Sequence, residues 1–128
     1  MPHRVSAEDE ARRKHILFAP SWYDGSIHLG AARYASEAGW VLTCCTRREI
    51  LLPERWQGDG ILTVLGQYRP DVTEFIRKFT DIPVVDLSMN VPEEPLPRVV
   101  QNNHEIAAKA VEHFVSQGFR SLAFYFVS

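Results

Sequence analysis

Short apolar runs recur along the chain, and turn residues or amphipathic stretches separate them. Short apolar runs that are flanked by proline or glycine are typical of buried strands. The predicted strands are His15–Ala19, Trp40–Cys45, Gly60–Leu65, Pro83–Leu87, Val99–Gln101 and Ser121–Val127. Because each strand is nearly all apolar, the pattern indicates a sheet that is covered on both faces.

Three of the intervening segments have helical periodicity and recognisable ends. Their predicted N-terminal caps are Asp24 or Ser26, Asp71 and Asn102, and Gly39 and Gly118 are predicted to end the first and third helices. The predicted buried faces are Ile27, Ala31, Tyr34, Ala35 and Ala38; then Val72, Phe75, Ile76 and Phe79; then Ile106, Ala110, Val111 and Phe114.

Strands that alternate with helices predict an α/β fold, here a three-layer α/β/α arrangement around a parallel sheet. With right-handed crossovers, residues 15–101 are expected to form a sheet of strand order 2-1-3-4-5. The loops that leave the strands then gather at one edge of the sheet. Open sheets of this kind bind their ligands at that edge.

The composition predicts one soluble domain that acts in the cytoplasm. The chain has 128 residues and a net charge of -2, and a domain that contacts DNA usually shows a basic face. We therefore expect no specific DNA binding by this chain itself. No apolar run reaches the ~20 residues that span a bilayer, and the N-terminus lacks the apolar stretch of a secretory signal.

No catalytic motif is visible, and the chain is predicted to be neither an enzyme nor a cofactor-binding protein. The adjacent Cys44 and Cys45 are not placed to bridge or to bind zinc. Asp24 and Asp86 leave two interpretations open. Each carboxylate could serve in acid–base chemistry, or Asp24 could cap a helix and Asp86 could be a polar strand end.

The loops at the predicted ligand edge combine aromatic and polar side chains. Trp22 and Tyr23 offer flat apolar faces that suit the C–H faces of a sugar ring, although the two could also pack locally or against a partner chain. A few convergent polar groups on an apolar pocket are the usual small-ligand pattern. The predicted ligand-binding residues are Trp22, Tyr23, Asp24, Gln67, Asp86, Ser88 and Asn102.

Four segments resemble lactose-repressor-type (LacI-like) and periplasmic sugar-binding proteins, in matching order and spacing. Gly30–Trp40 resembles the end of their first helix, Trp56–Leu62 the approach to strand three, and Asp81–Asp86 strand four. Val111–Phe124 resembles the segment just past their first crossover between lobes. The resemblance extends from about His15 to the end of the chain.

Within that superfamily, Phe18–Asp24 and Phe119–Tyr125 are similar to the xylose operon regulators of the AraC class. Residues 1–14 are polar and charged without clear periodicity, which predicts a tail. The resemblance implies an incomplete first lobe over 15–102, and a crossover with the start of a truncated second lobe over 103–128. Asn102 stands where an aspartate is common in the family.

The resemblance implies the sugar-sensing region of a bacterial transcription regulator. A sugar, xylose in this subfamily, is expected between two lobes and would control a DNA-binding domain that is absent from this chain. The alternatives are a solute-binding component of a transporter and a small flavodoxin-like enzyme. Ser121–Val127 would lack flanking strands, so residues 104–128 are expected to contact a second copy in a homo-oligomer, unless they pack in cis.

Overall fold

A computed structural model describes residues 13–45 and 52–126. Its elements are β1 (His15–Phe18), α1 (Gly25–Ala38), β2 (Val41–Cys44), β3 (Gly60–Thr63), α2 (Pro70–Arg77), β4 (Val84–Asp86) and α3 (Asn103–Ser116). All pairings among the four strands are parallel, in the order β2-β1-β3-β4. The predicted α/β fold and the order of the first four strands are confirmed.

Helices α1 and α2 lie on opposite faces of this sheet. Leu17 in β1 belongs to a buried cluster with Val72 and Phe75 of α2. The next side chain, Phe18, contacts His28 of α1, with ring centroids 5.7 Å apart. Because successive strand side chains point to opposite faces, the two contacts define three layers: α1, the sheet and α2.

The larger part of the core lies between the sheet and α2. Its buried members are Leu17, Ala19, Ile61, Leu65, Val72, Phe75, Ile76, Val84 and Val91. Phe79 packs edge-on against Phe75, with ring centroids 4.9 Å apart. The apolar face predicted for this helix is confirmed. Burial of each large member contributes about 1.5–3 kcal/mol relative to exposure.

Helix α1 begins and ends where the sequence predicts. Asp24 Oδ1 accepts the backbone N–H groups of Ser26 at 2.7 Å and Ile27 at 3.3 Å. Gly39 ends the helix in the left-handed conformation, with φ of 69°, which glycine adopts without a Cβ penalty. Asp24 rather than Ser26 is therefore the cap.

Helix α2 begins differently from the prediction. Its N-cap is Arg69, whose side chain makes no capping bond, and Asp71 lies inside the first turn. Pro70 is preorganised for the first helical position, so it places the start of the helix before Asp71. The Asp71 carboxylate accepts hydrogen bonds from Arg69 Nε at 2.8 Å and Nη2 at 2.6 Å. These bonds hold the pKa of Asp71 below its ordinary value.

Two predicted strands are not formed. The fifth, Val99–Gln101, is replaced by a single parallel bridge between Asp86 and Arg98. The last is absent over 121–126, while Val127 lies outside the described residues. A strand needs a neighbour that accepts and donates ladder hydrogen bonds, and no strand pairs with 121–126 in the described chain.

The predicted apolar face of α3 is also not buried. No residue of this helix is buried, and every described residue from 99 to 126 is exposed. The helix ends are nevertheless as predicted. Asn102 Oδ1 accepts the Glu105 N–H at 3.1 Å, and Gly118 follows the helix with φ of 89°. Local capping therefore forms without burial.

The chain enters β3 through a close backbone contact with β1. The His15 N–H donates to Asp59 Oδ2 at 2.7 Å, and the Asp59 N–H donates to the His15 carbonyl at 2.8 Å. A Cβ on Gly58 would overlap the Trp56 ring and would lie 2.7 Å from the His15 carbonyl oxygen. Only glycine fits at this position without a shift of backbone.

We predict that Gly58→Ala lowers the free energy of unfolding by about 1–3 kcal/mol, the usual range for an overpacked site. Gly30→Ala is the matched control, because Gly30 lies within α1 and a Cβ there meets nothing within 4 Å. The control should gain about 0.5–1 kcal/mol. Urea unfolding measures both, and a Gly58→Ala chain as stable as the parent would contradict the contact.

Candidate ligand-binding site

A cleft of about 260 Å³ opens at the carboxyl edge of the sheet. Trp22 comes from the loop after β1, Gly66–Tyr68 from the loop after β3, and Asn90 from the loop after β4. The cleft therefore lies where three strand-to-helix loops converge, at the edge predicted from the topology.

Aromatic side chains form the apolar part of the cleft. Trp22 is 47% exposed and Tyr68 is 94% exposed, so both residues offer accessible surface to a ligand. A Cβ on Gly66 would lie 3.5 Å from Trp22 Cδ1, so the two loops already approach van der Waals contact. The indole face is suited to the C–H groups of a polyol ring.

Amide side chains form the polar part. Asn90 Nδ2 donates to the Leu65 carbonyl at 2.9 Å, which fixes the orientation of this side chain. Among the described residues, no group donates to Asn90 Oδ1, and the Gln67 amide has no hydrogen-bond partner. The cleft therefore presents neutral donors and acceptors with no charged side chain in its lining.

Asp86 lies beneath this surface and is fully buried. Its Oδ1 accepts the backbone N–H of Leu65 at 3.2 Å and that of Ser88 at 3.1 Å, and the Ser88 hydroxyl at 3.0 Å. The carboxylate thus joins the loop after β3 to the loop after β4. It positions the walls of the cleft and is not exposed to contact a ligand directly.

The second oxygen of Asp86 faces Arg98, whose side chain is 17% exposed. Asp86 Oδ2 and Arg98 Nε are 3.4 Å apart, and both atoms are buried without a hydrogen-bond partner. Arg98 Nη2 donates to the carbonyl oxygens of Val91 at 2.8 Å and Glu94 at 2.7 Å. The guanidinium therefore organises the loop after β4 around itself, while its charge compensates that of Asp86.

An ion pair also holds the loop after β4 to α2. Arg77 forms a two-point ion pair with the buried carboxylate of Glu94, with Nε 3.3 Å from Oε2. This interaction holds the pKa of Arg77 above its ordinary value. Both groups also border a neighbouring hollow of about 290 Å³ that shares Gly66 and Gln67 with the cleft.

The structure brings two of the seven predicted site residues, Trp22 and Gln67, into the lining of the cleft. Asp86 and Ser88 are buried below it. Gly66, Tyr68 and Asn90 also line the cleft but were not predicted. Their signal in the sequence was weak, since each is an ordinary loop residue.

The other three predicted residues have local partners. The Tyr23 hydroxyl lies 3.0 Å from His28 Nδ1, in line with the local packing that was the alternative interpretation for this aromatic pair. Asp24 and Asn102 cap their own helices through side-chain oxygens. None of the three lines the cleft.

Among the described residues, no cluster of three or more His, Cys, Asp or Glu side chains could hold a metal ion. No disulfide joins Cys44 to Cys45, and burial followed by the neighbouring Cys44 raises the pKa of the Cys45 thiol. None of the described helices has the length and apolar character needed to cross a membrane.

No family model, curated protein or solved structure matches this chain. The chemistry of the cleft and the residue patterns described above are therefore the basis on which a function can be proposed.

We predict that Asp86→Asn lowers the free energy of unfolding by about 3 kcal/mol, because it leaves the Arg98 charge without its buried partner. Asp81→Asn is the matched control. Asp81 is exposed, so its replacement should change stability by less than about 0.5 kcal/mol. Urea unfolding measures the two variants, and similar losses in both would contradict the role assigned to Asp86.

Proposed function

We propose that this chain is the sugar-sensing part of a bacterial transcription regulator and that the cleft binds one side of a neutral sugar. The observation that carries the proposal is the combination of the Trp22 indole face with the Gln67 and Asn90 amides at the carboxyl edge of a parallel sheet. An apolar surface with a few oriented polar groups is the usual arrangement for a small ligand.

The chemistry of the cleft favours a neutral polyol. A sugar ring could stack its C–H face on Trp22 while its hydroxyls donate to Asn90 Oδ1 and exchange hydrogen bonds with Gln67. A phosphorylated or carboxylated ligand would find no cationic side chain in the lining. Xylose is the first ligand to test, since the resemblance implies it.

The size of the cleft supports contact with only part of the ligand. Its volume of about 260 Å³ lies just below the ~300–1,000 Å³ typical of sites that enclose a small molecule. In the proposed parent protein, a second lobe covers the other side of the sugar. Ligand then favours the closed arrangement by shifting its population, and a cytoplasmic DNA-binding domain outside this chain responds.

We predict that xylose shifts the NMR resonances of the Trp22 indole and of the Gln67 and Asn90 side-chain amides in the 128-residue chain. One lobe alone should bind weakly, so the titration extends into the millimolar range. Trp22→Ala should remove the shifts at both amides, whereas Tyr34→Ala, which alters an exposed aromatic outside the cleft, should leave them. Failure of xylose and other neutral pentoses and hexoses to shift these resonances would overturn the proposal.

A second prediction isolates hydrogen bonding from stacking. Gln67→Ala should weaken sugar binding about fivefold to tenfold, the equivalent of one hydrogen bond of about 1–1.4 kcal/mol. Gln57→Ala is the matched control, because Gln57 is also exposed but lies outside the cleft. The dissociation constants from the same titration give the answer, and equal values for the two variants would exclude Gln67 from the site.

A further inference from the structure

The hollow beside the cleft continues the cleft along helix α2. The two share Gly66 and Gln67, and beyond these residues the hollow lies between α2 and the loop after β4. Its lining residues on α2 are three and four positions apart, so they lie on one face of the helix. They are Pro70, Thr73, Glu74 and Arg77. The cleft and the hollow therefore form one elongated groove.

The volumes of the two parts support a ligand that occupies both. The hollow has about 290 Å³ and the cleft about 260 Å³. Each part alone is smaller than the ~300–1,000 Å³ typical of a small-molecule site, whereas the two joined fall within that range. Because the parts are of similar size, the groove is suited to a ligand built from two similar units.

Arg77 places fixed hydrogen-bond donors in the hollow. Its Nε and Nη2 are engaged by the Glu94 carboxylate, while its Nη1 has no partner among the described residues. Glu94 is held in turn, because its side chain is only 8% exposed and its carbonyl accepts Arg98 Nη2 at 2.7 Å. The free N–H groups of Arg77 are thus positioned by the same loop that carries Asn90 into the cleft.

The hollow also offers acceptors. The carboxylates of Glu74 and Glu93 are exposed, and neither they nor the Thr73 hydroxyl hydrogen-bonds to another described residue. Sugar hydroxyls both donate and accept, so they can use the carboxylates together with Arg77 Nη1. An ammonium group donates only and would meet the like charge of Arg77, and an anionic group would meet three carboxylates against one guanidinium. The mixture favours a neutral, hydroxyl-rich unit.

We propose that the hollow is a second sugar subsite and that the groove binds a neutral disaccharide. One ring lies against Trp22 in the cleft, and the other lies between α2 and the loop after β4. Gln67, which lines both parts, is then next to the linkage between the rings. This inference rests on the proposed function, because it extends the same site.

An NMR titration of the 128-residue chain compares xylobiose with xylose, and cellobiose and maltose with glucose. At least one disaccharide should bind at least about tenfold more tightly than its monosaccharide, since the second ring adds hydrogen bonds in the hollow. It should also shift the backbone amide resonances of Thr73 and Glu74, which the monosaccharides should leave in place.

Two variants locate the second ring. Glu74→Ala should weaken binding of that disaccharide about fivefold and leave binding of its monosaccharide unchanged. Glu37→Ala is the matched control, because Glu37 is also an exposed helical glutamate but lies on α1, outside the groove. It should change neither affinity.

The outcomes separate this inference from the proposed function. Monosaccharides that shift the cleft resonances, without tighter binding of any disaccharide, would overturn the second subsite and leave the cleft supported. A gain in affinity that Glu74→Ala does not reduce would place the second ring elsewhere and would also overturn it. If none of these sugars shifts any resonance, the sugar site itself is wrong, and its extension is wrong with it.

Discussion

The fully buried carboxylate of Asp86 links the loops at the carboxyl edge of the sheet. One oxygen holds the backbone of Leu65 and Ser88, and the other faces Arg98. The loop after β3 and both ends of the loop after β4 therefore meet at one charge. An unpaired carboxylate at this depth would be strongly unfavourable, so the position of Arg98, and of the loop wrapped around it, is linked to that of β4.

This interaction explains how the cleft combines a fixed framework with an accessible surface. The Leu65 backbone, which Asp86 holds, in turn accepts a hydrogen bond from Asn90, so one wall of the cleft is positioned from below. Trp22, Gln67 and Tyr68 remain exposed above it. A site in which buried groups orient a few neutral surface groups is suited to recognising a ligand by stacking and hydrogen bonding.

The sequence predicted best those features that depend on neighbouring residues. The caps at Asp24 and Asn102, and the buried face of α2, follow from local hydrogen bonds and helical period. The predictions of strands at Val99–Gln101 and Ser121–Val127 were wrong for the residues that the structure describes. Strand formation depends on a neighbouring strand, which the β-propensity of a segment does not supply. The site was predicted in part. The topology located the edge of the sheet, and two of the predicted residues line the cleft. The burial of Asp86 was not predicted, because its charge is compensated by Arg98, which lies twelve positions away in sequence.

The most direct test of the proposed sugar site is to observe whether a sugar lies against Trp22. Intermolecular nuclear Overhauser effects between xylose ring protons and the three tryptophan indoles distinguish Trp22 from Trp40 and Trp56. If the proposed sugar site is correct, the C–H groups of one sugar face contact Trp22, with no contacts to the other two indoles. Contacts to Trp40 or Trp56 alone, or none to Trp22 with the chain saturated, would contradict it.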